Sequence, residues 1–270
     1  MAYIAALEAV GLRAHRQLAV RLLGLQADQV ASVLQGLNGI VDEYDINVRE
    51  GIYGWATRHL VIARKITEYK FSSLDELNTL FKRIIKNINP GIRTELQSIR
   101  DLCDIEYGIG RLGDPEIRQK LYRDLITVAP SERIPWHRLI RELLEQDRLE
   151  EVEYLIRDAI IAVGQDAPLD RFKVRLLIAR SDSTKGIAQS DRVAILRRAY
   201  ELATNNIDRH RADKHSYRIL CQVATKMVER GEPVQILYEA IARLRDAVSE
   251  ILDPDMDRDI RRFENIAARC

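Results

Sequence analysis

Apolar residues along this chain recur mostly at steps of three and four, the period of a helix with one buried face, and seldom at the step of two that marks a strand. Residues from about Tyr3 to Leu23 predict a helix interrupted at Gly11; Leu12, His15, Leu18, Ala19 and Leu22 share one face, and Gly24 caps the end. A second helix is predicted from about Ala27 to Leu37, with Val30, Val33, Leu34 and Leu37 inward and Asn38-Gly39 closing it. The period then changes. Ile40–Ile46 and the strand-like Ile52–Ala56, separated by Asn47-Val48-Arg49-Glu50-Gly51, predict a hairpin, and Leu60, Ala63 and Ile66 mark the face of a closing helix. Ser72 and Asp75 stand at capping-box spacing before another helix, whose Leu77, Leu80, Phe81, Ile84, Ile85 and Ile88 form a buried stripe. Asn89-Pro90-Gly91 is the strongest punctuation, so a first domain is expected over residues 1–90 and a helical domain over residues 91–270.

Helix, helix, hairpin and closing helix is the order of a winged-helix domain. Beyond Pro90 nearly every segment has helical period. Asp114-Pro115 and Asp253-Pro254 each set a cap residue before a proline at the first helical position, and Glu232-Pro233 begins a further helix. Two windows resemble the tetratricopeptide repeat (TPR): Trp136, Leu139, Ile140 and Leu143 followed by Val152, Ile156 and Ala159, and Tyr217, Leu220, Cys221 and Ala224 followed by Leu237 and Ala240. Trp136 to Ala159 and Tyr217 to Ala240 are both 23 residues apart, the spacing of that family. The match is partial, because Ile140 and Cys221 stand where a small residue belongs and Val152 replaces an alanine. A further pair is predicted over about Leu169–Arg180 and Arg192–Ala203, joined by the loop Ser181–Gly186, and a weaker one over Thr94–Tyr107 and Pro115–Val128. The expected fold is therefore mainly α: a small winged-helix domain followed by an irregular TPR-like α-solenoid of about four helix pairs. In such a repeat the first helix of each pair lines the concave face. That face would carry His137, Arg141, His215, Arg218, Gln222 and Lys226, with Arg175 beside them. A basic lining suits an acidic peptide or protein surface. Trp136 reads as a core packing residue.

Composition narrows the classes. The chain is 46% hydrophobic and 31% charged, as a helix-rich globular protein would be. Net charge is +1; residues 1–90 carry 11 basic and 9 acidic side chains, and residues 91–270 carry 31 and 32. Neither part has the positive field of a dedicated nucleic-acid binder, and the recognition-helix candidate Gln26–Gln35 has no basic residue and one acid. DNA binding is disfavoured. Cys103, Cys221 and Cys270 lie far apart with no Cys-x-x-Cys pair, which fits a reducing compartment and offers no zinc signature. No apolar run approaches a membrane span, and the N-terminus lacks the basic start of a signal peptide, so a cytoplasmic protein is expected. There is no phosphate loop and no nucleophile elbow, and His210 and His215, five apart with Asp213 between, make only a faint metal pattern.

One stretch is more specific. His59 sits where the hairpin meets the closing helix, so ring and backbone N–H groups could face an anion at a helix N-terminus. Thr57-Arg58-His59-Leu60-Val61-Ile62-Ala63 resembles the end of the winged-helix domain in STAND-type signalling NTPases, and Tyr53–Ile66 resembles that of their bacterial antiphage defence members. In the wider class a Met-His-Asp motif lies there, and its histidine contacts bound ADP; this chain keeps His59 and has Arg58 and Leu60 for the flanking residues. Arg133–Leu139, Asp170–Arg175 and Leu252-Asp253-Pro254 resemble the repeat arm of the same proteins. The resemblance implies a non-catalytic sensor region that binds a phage protein through its helical array, relays the event through the winged helix, and self-associates within a larger oligomer. Nucleotide sensing by His59 and Arg58, and any ATP, ADP or magnesium, would involve an upstream NTPase domain; no cofactor or metal is expected on this chain. The alternatives are a stand-alone TPR-like adaptor and a winged-helix transcriptional regulator.

Overall fold

The computed structural model describes residues 1–270 apart from residues 10, 11, 13, 14, 184, 185, 211, 212, 252 and 254. The chain is mainly helical with one small two-stranded antiparallel sheet, and it divides into two compact units, Met1–Leu139 and Ile140–Cys270.

The first unit opens with α1 (Ala2–Ala9), α2 (Arg16–Leu23) and α3 (Gln29–Gly36), followed by β1 (Val41–Asn47), β2 (Ile52–Thr57) and α4 (Leu60–Lys70). The single helix predicted over Tyr3–Leu23 is thus two, and the expected interruption at Gly11 falls outside the described residues. The face Leu12, His15, Leu18, Ala19 and Leu22 is buried throughout. His15, however, is extended rather than helical, because its backbone forms an antiparallel bridge to Gly54 of β2. Gly54 also lies opposite Tyr44 on β1, and a Cβ there would come within 2.5 Å of the Tyr44 ring. Only glycine lets that ring cross the hairpin. Trp55, fully buried between Ile4, Ala19 and Val41, centres the small core and donates its indole N–H to Glu43 at 2.8 Å. The inward residues predicted for α3 are half-buried.

After α4 come α5 (Leu74–Asn87), α6 (Arg93–Leu102), α7 (Pro115–Val128) and α8 (Arg133–Glu145). The α5 stripe is buried as predicted, with Leu77 half-buried at its start. Its capping box sits one residue later than expected: Ser73 caps Glu76, whose carboxylate reaches back to the Ser73 N–H at 3.0 Å. A glutamate spans that turn, whereas the shorter Asp75 paired with Ser72 would not. Asp114 caps α7 with Pro115 at the first helical position. The sequence pairs α7 with α6, but α7 packs mainly on α5.

The unit runs past the 90/91 boundary for an electrostatic reason. Glu95, in the first turn of α6, is 0% exposed. Its carboxylate accepts from the Arg21 guanidinium of α2 and, at 2.7 Å, from the Asn89 N–H, with His15 Nδ1 at 3.7 Å. Arg21 also donates to the Asn87 carbonyl at 2.8 Å. Asn89-Pro90-Gly91 is therefore a turn inside a cross-linked unit.

The second unit continues with α9 (Leu149–Val163), α10 (Ala167–Ser183), α11 (Gln189–Arg209), α12 (Lys214–Glu229), α13 (Gln235–Asp246), α14 (Val248–Ile251) and α15 (Asp255–Ala267). From α9 to α13 each helix packs on the next, and α10 also meets α12, as α12 meets α15. Successive contact with a second row of next-but-one contacts is how helix pairs stack into a continuous core. The repeat positions predicted from both windows are buried, Tyr217 only partly. The start expected at Asp253-Pro254 involves Pro254, outside the described residues; Asp253 accepts from the Asp255 N–H at 2.9 Å. Among the described residues no helix is long and apolar enough to cross a membrane.

Candidate functional site

In the second unit, which begins at Ile140 within α8, the end of α8 with α10, α12 and α15 builds a face with two adjoining recesses that share Arg175 and Gln222. The larger, about 500 Å³, is lined by Arg141, Leu144, Glu145, Ile178, Ala179 and Asp182 among others. The smaller, about 350 Å³, is closed by His215 and Arg218 from α12 and by Arg258, Asp259 and Arg262 from α15. The helical period explains the assembly. Arg218 and Gln222 stand one turn apart on α12, buried Ile219 reaches the recess between them, and Val223 and Met227 are buried in the core.

Five predicted residues, Arg141, Arg175, His215, Arg218 and Gln222, thus line this face. Lys226 lies outside both linings and is held by Asp182 at 3.3 Å and Glu229 at 3.2 Å. Burial opposes its charge, but those two hydrogen bonds outweigh it and hold its pKa above the ordinary lysine value. His137 is half-buried on α8, in the first unit.

The lining is less uniformly basic than the sequence suggested. The larger recess is lined by two acids, Glu145 and Asp182, besides Arg141 and Arg175, so its formal charges sum to zero around an apolar floor. Asp182 is paired outward with Lys226 and with Arg230 at 3.0 Å, and neither lining arginine is ion-paired among the described residues. Arg218 is ion-paired to Asp259. Arg175 is different: half-buried, it makes no ion pair or hydrogen bond among the described residues. Burial, then Arg141 and Arg171, draw its pKa below the usual arginine value, with Glu145 opposing. His215 is pushed down by burial first; Asp213 opposes, and Arg171, Arg218 and Lys214 add to the depression. The α15 contribution escaped sequence reasoning because α15 follows the last recognisable repeat pair. Its alternating charges, Asp257-Arg258-Asp259 then Arg261-Arg262, read as a solvated helix surface.

The other predicted site is dispersed. His59 is the cap position of α4, but its side chain makes no cap hydrogen bond and is exposed. Arg58, also exposed, faces Asp42 at 3.4 Å. The preceding Thr57 gives both its N–H and its hydroxyl to the Glu8 carboxylate, each at 2.7 Å, so an acid already occupies the end of the strand. Leu60, Val61 and Ile62 are 44%, 69% and 42% exposed, and Ala63, Thr67 and half-buried Ile66 form the packed face of α4. Leu60 therefore leaves the face predicted for it. His210 and His215 serve different partners: His210 Nε2 lies 2.7 Å from Asp170, and Asp213 caps α12 and pairs with Arg171 at 2.5 Å. Among the described residues no group of three His, Cys, Asp or Glu side chains is placed to hold a metal ion. Cys103 and Cys221 are buried, and burial pushes each thiol up to about 12.

Comparison with family models, characterised proteins and solved structures finds no match.

Proposed function

We propose that this chain is the winged-helix and sensor region of a STAND-type NTPase: its TPR-like array binds a foreign protein, and its first unit relays that event to a nucleotide-binding domain. The carrying observation is the continuous face of the second unit, where Arg141 stands beside the apolar Leu144, Ile178 and Ala179 with no ion pair among the described residues. A neutral, partly apolar hollow edged by a free guanidinium is the composition of a protein-recognition surface, in which arginine anchors and the apolar floor supplies area. The resemblance of Thr57–Ala63 to the family supports the signalling half of the reading. So do the solvent-facing Leu60, Val61 and Ile62 beside it, an apolar turn suited to cover by a neighbouring domain.

The ligand shifts the arm only if it prefers one arrangement of the signalling protein over the other. The chain itself is read as non-catalytic, with ATP turnover residing elsewhere. The test is affinity capture with the tagged chain from phage-infected and uninfected cells, with Arg141→Glu as the control. A phage protein enriched from infected cells and lost with Arg141→Glu is the expected result. No infection-dependent enrichment, or enrichment indifferent to Arg141→Glu, overturns the reading.

A further inference from the structure

The smaller recess has a chemistry of its own. Four arginines, Arg175, Arg218, Arg258 and Arg262, meet one acid, Asp259, on its wall. Arg218 is answered by Asp259, and Arg258 by Asp255 at 3.2 Å on its own helix. Arg175 and Arg262 have no ion pair among the described residues. Two unanswered guanidiniums therefore face one cavity, flanked by the Gln222 amide and the His215 ring. Like charges gathered on low-dielectric walls raise one another's free energy until an anion enters, and the cavity focuses their field. The volume, about 350 Å³, lies at the small end of ligand pockets and is too little for a folded surface.

We propose that the recess between α10, α12 and α15 binds a small phosphate-bearing molecule, with Arg175 and Arg262 gripping its dianionic phosphate. Two uncompensated cations match a phosphate dianion in charge. The planar fork of each guanidinium offers paired N–H donors that suit two phosphate oxygens at once. Gln222 and His215 supply neutral donors for the remaining oxygens. Arg175 also edges the neighbouring hollow, so an anion seated on it would alter the charge presented to a protein ligand there. This goes beyond the protein-recognition reading. Its test uses different residues, so failure of one leaves the other standing.

The test is isothermal titration of the whole chain with inorganic pyrophosphate, and with succinate as a carboxylate dianion, at low and high salt. Expected is saturable one-to-one pyrophosphate binding that weakens with salt, falls at least about 10-fold in Arg262→Met and in Arg175→Met, and exceeds succinate binding by a similar factor. Arg262 is exposed on α15, so its variant keeps the fold even where Arg175→Met does not; circular dichroism checks both. No saturable binding, equal binding of succinate, or undiminished binding in the folded Arg262→Met variant overturns the proposal.

Discussion

Replacing Glu95 should unfasten the first unit while leaving the second intact. Its carboxylate is fully buried and joins α2, the Asn89 turn and α6. Breaking a buried pair by deleting one member costs about 3–5 kcal/mol, because the other charge is left without compensation. Here the survivor, Arg21, is 34% exposed and keeps its bond to the Asn87 carbonyl, so water recovers part of the loss. For Glu95→Ala we expect about 2–4 kcal/mol, and for Glu95→Gln, which keeps an acceptor for Asn89, about 1–2 kcal/mol. The chain carries a convenient probe. Both tryptophans, Trp55 and Trp136, lie in Met1–Leu139, so indole fluorescence follows this unit and far-ultraviolet dichroism follows both. With a urea slope of about 2 kcal/mol per molar, Glu95→Ala should lower the fluorescence midpoint by about 1–2 M, while the remaining dichroism transition stays put. His15 adds a pH signature. Burial first, then Arg21 and Arg16, lower its pKa below the ordinary 6.5, with Glu95 opposing. Near and below pH 6.5 the unfolded chain takes up a proton that the folded one refuses. This contribution is thus fully present above pH 6.5 and is lost as pH falls toward the lowered value. His15→Gln should flatten that slope. An unmoved fluorescence midpoint in Glu95→Ala would refute the account of how the unit is held.

Other outcomes are equally concrete. Trp136→Ala should cost about 3–5 kcal/mol in the first unit, since it empties a buried site and orphans the Pro130 carbonyl that accepts the indole N–H at 2.9 Å; thermal melting followed at Trp55 reads it. Ser73→Ala should cost about 1 kcal/mol and Ser72→Ala less than about 0.5 kcal/mol by chemical denaturation, because only Ser73 caps α5. A disulfide reagent should titrate one fast thiol, Cys270, in the native chain and all three after denaturation, since the buried Cys103 and Cys221 hold their protons. Asp170→Asn should destabilise the second unit by about 1–3 kcal/mol, seen in dichroism and not in indole fluorescence, because it weakens bonds to Lys173 at 3.0 Å and His210 at 2.7 Å.

The sequence carried the local part of the fold. Period-three and period-four stripes located most helices, Gly24 and Asp114 marked real caps, and the hairpin around Gly51 stands where the change of period put it. What it could not carry was tertiary. Nothing near Glu95 or Asp170 distinguishes them from the many surface acids in a chain that is 31% charged. Their burial exists only once α2 approaches α6 and α11 approaches α10. The same gap produced the boundary at residue 90, where a proline-glycine turn is bridged by Arg21, which bonds the Asn87 carbonyl 66 residues later and the Glu95 carboxylate 74 residues later. At the candidate groove, Arg141 of α8 and the α12 residues were legible from repeat spacing, with Arg175 of α10 expected beside them, but the α15 wall was not, since no repeat signature extends to it.

The two units share a device that clarifies why such a partial repeat pattern can still fold to one arrangement. Ile140 and Cys221 occupy positions where small residues would normally set how closely helices approach, so side-chain interlock alone specifies register weakly. In each unit a fully buried carboxylate stands in the first turn of a helix, Glu95 in α6 and Asp170 in α10, where the helix dipole favours negative charge. Each then gathers donors from elsewhere: Arg21 and the Asn89 N–H for Glu95, and His210, Gln165 and Lys173 for Asp170. Burial alone would raise the Asp170 pKa; the bonds from His210, Lys173 and Gln165 outweigh it and keep the carboxyl below its ordinary range. Such a centre adds little net stability over a well-packed apolar one, but any slip of the neighbouring helix strands a buried charge. An apolar replacement of matching shape, Asp170→Leu with His210→Leu, separates the two effects. If the charge serves register, that double variant should retain helix content and melting temperature yet lose sharp side-chain dispersion in its nuclear magnetic resonance spectrum. Retained dispersion would show that packing alone sets how α10 and α11 meet.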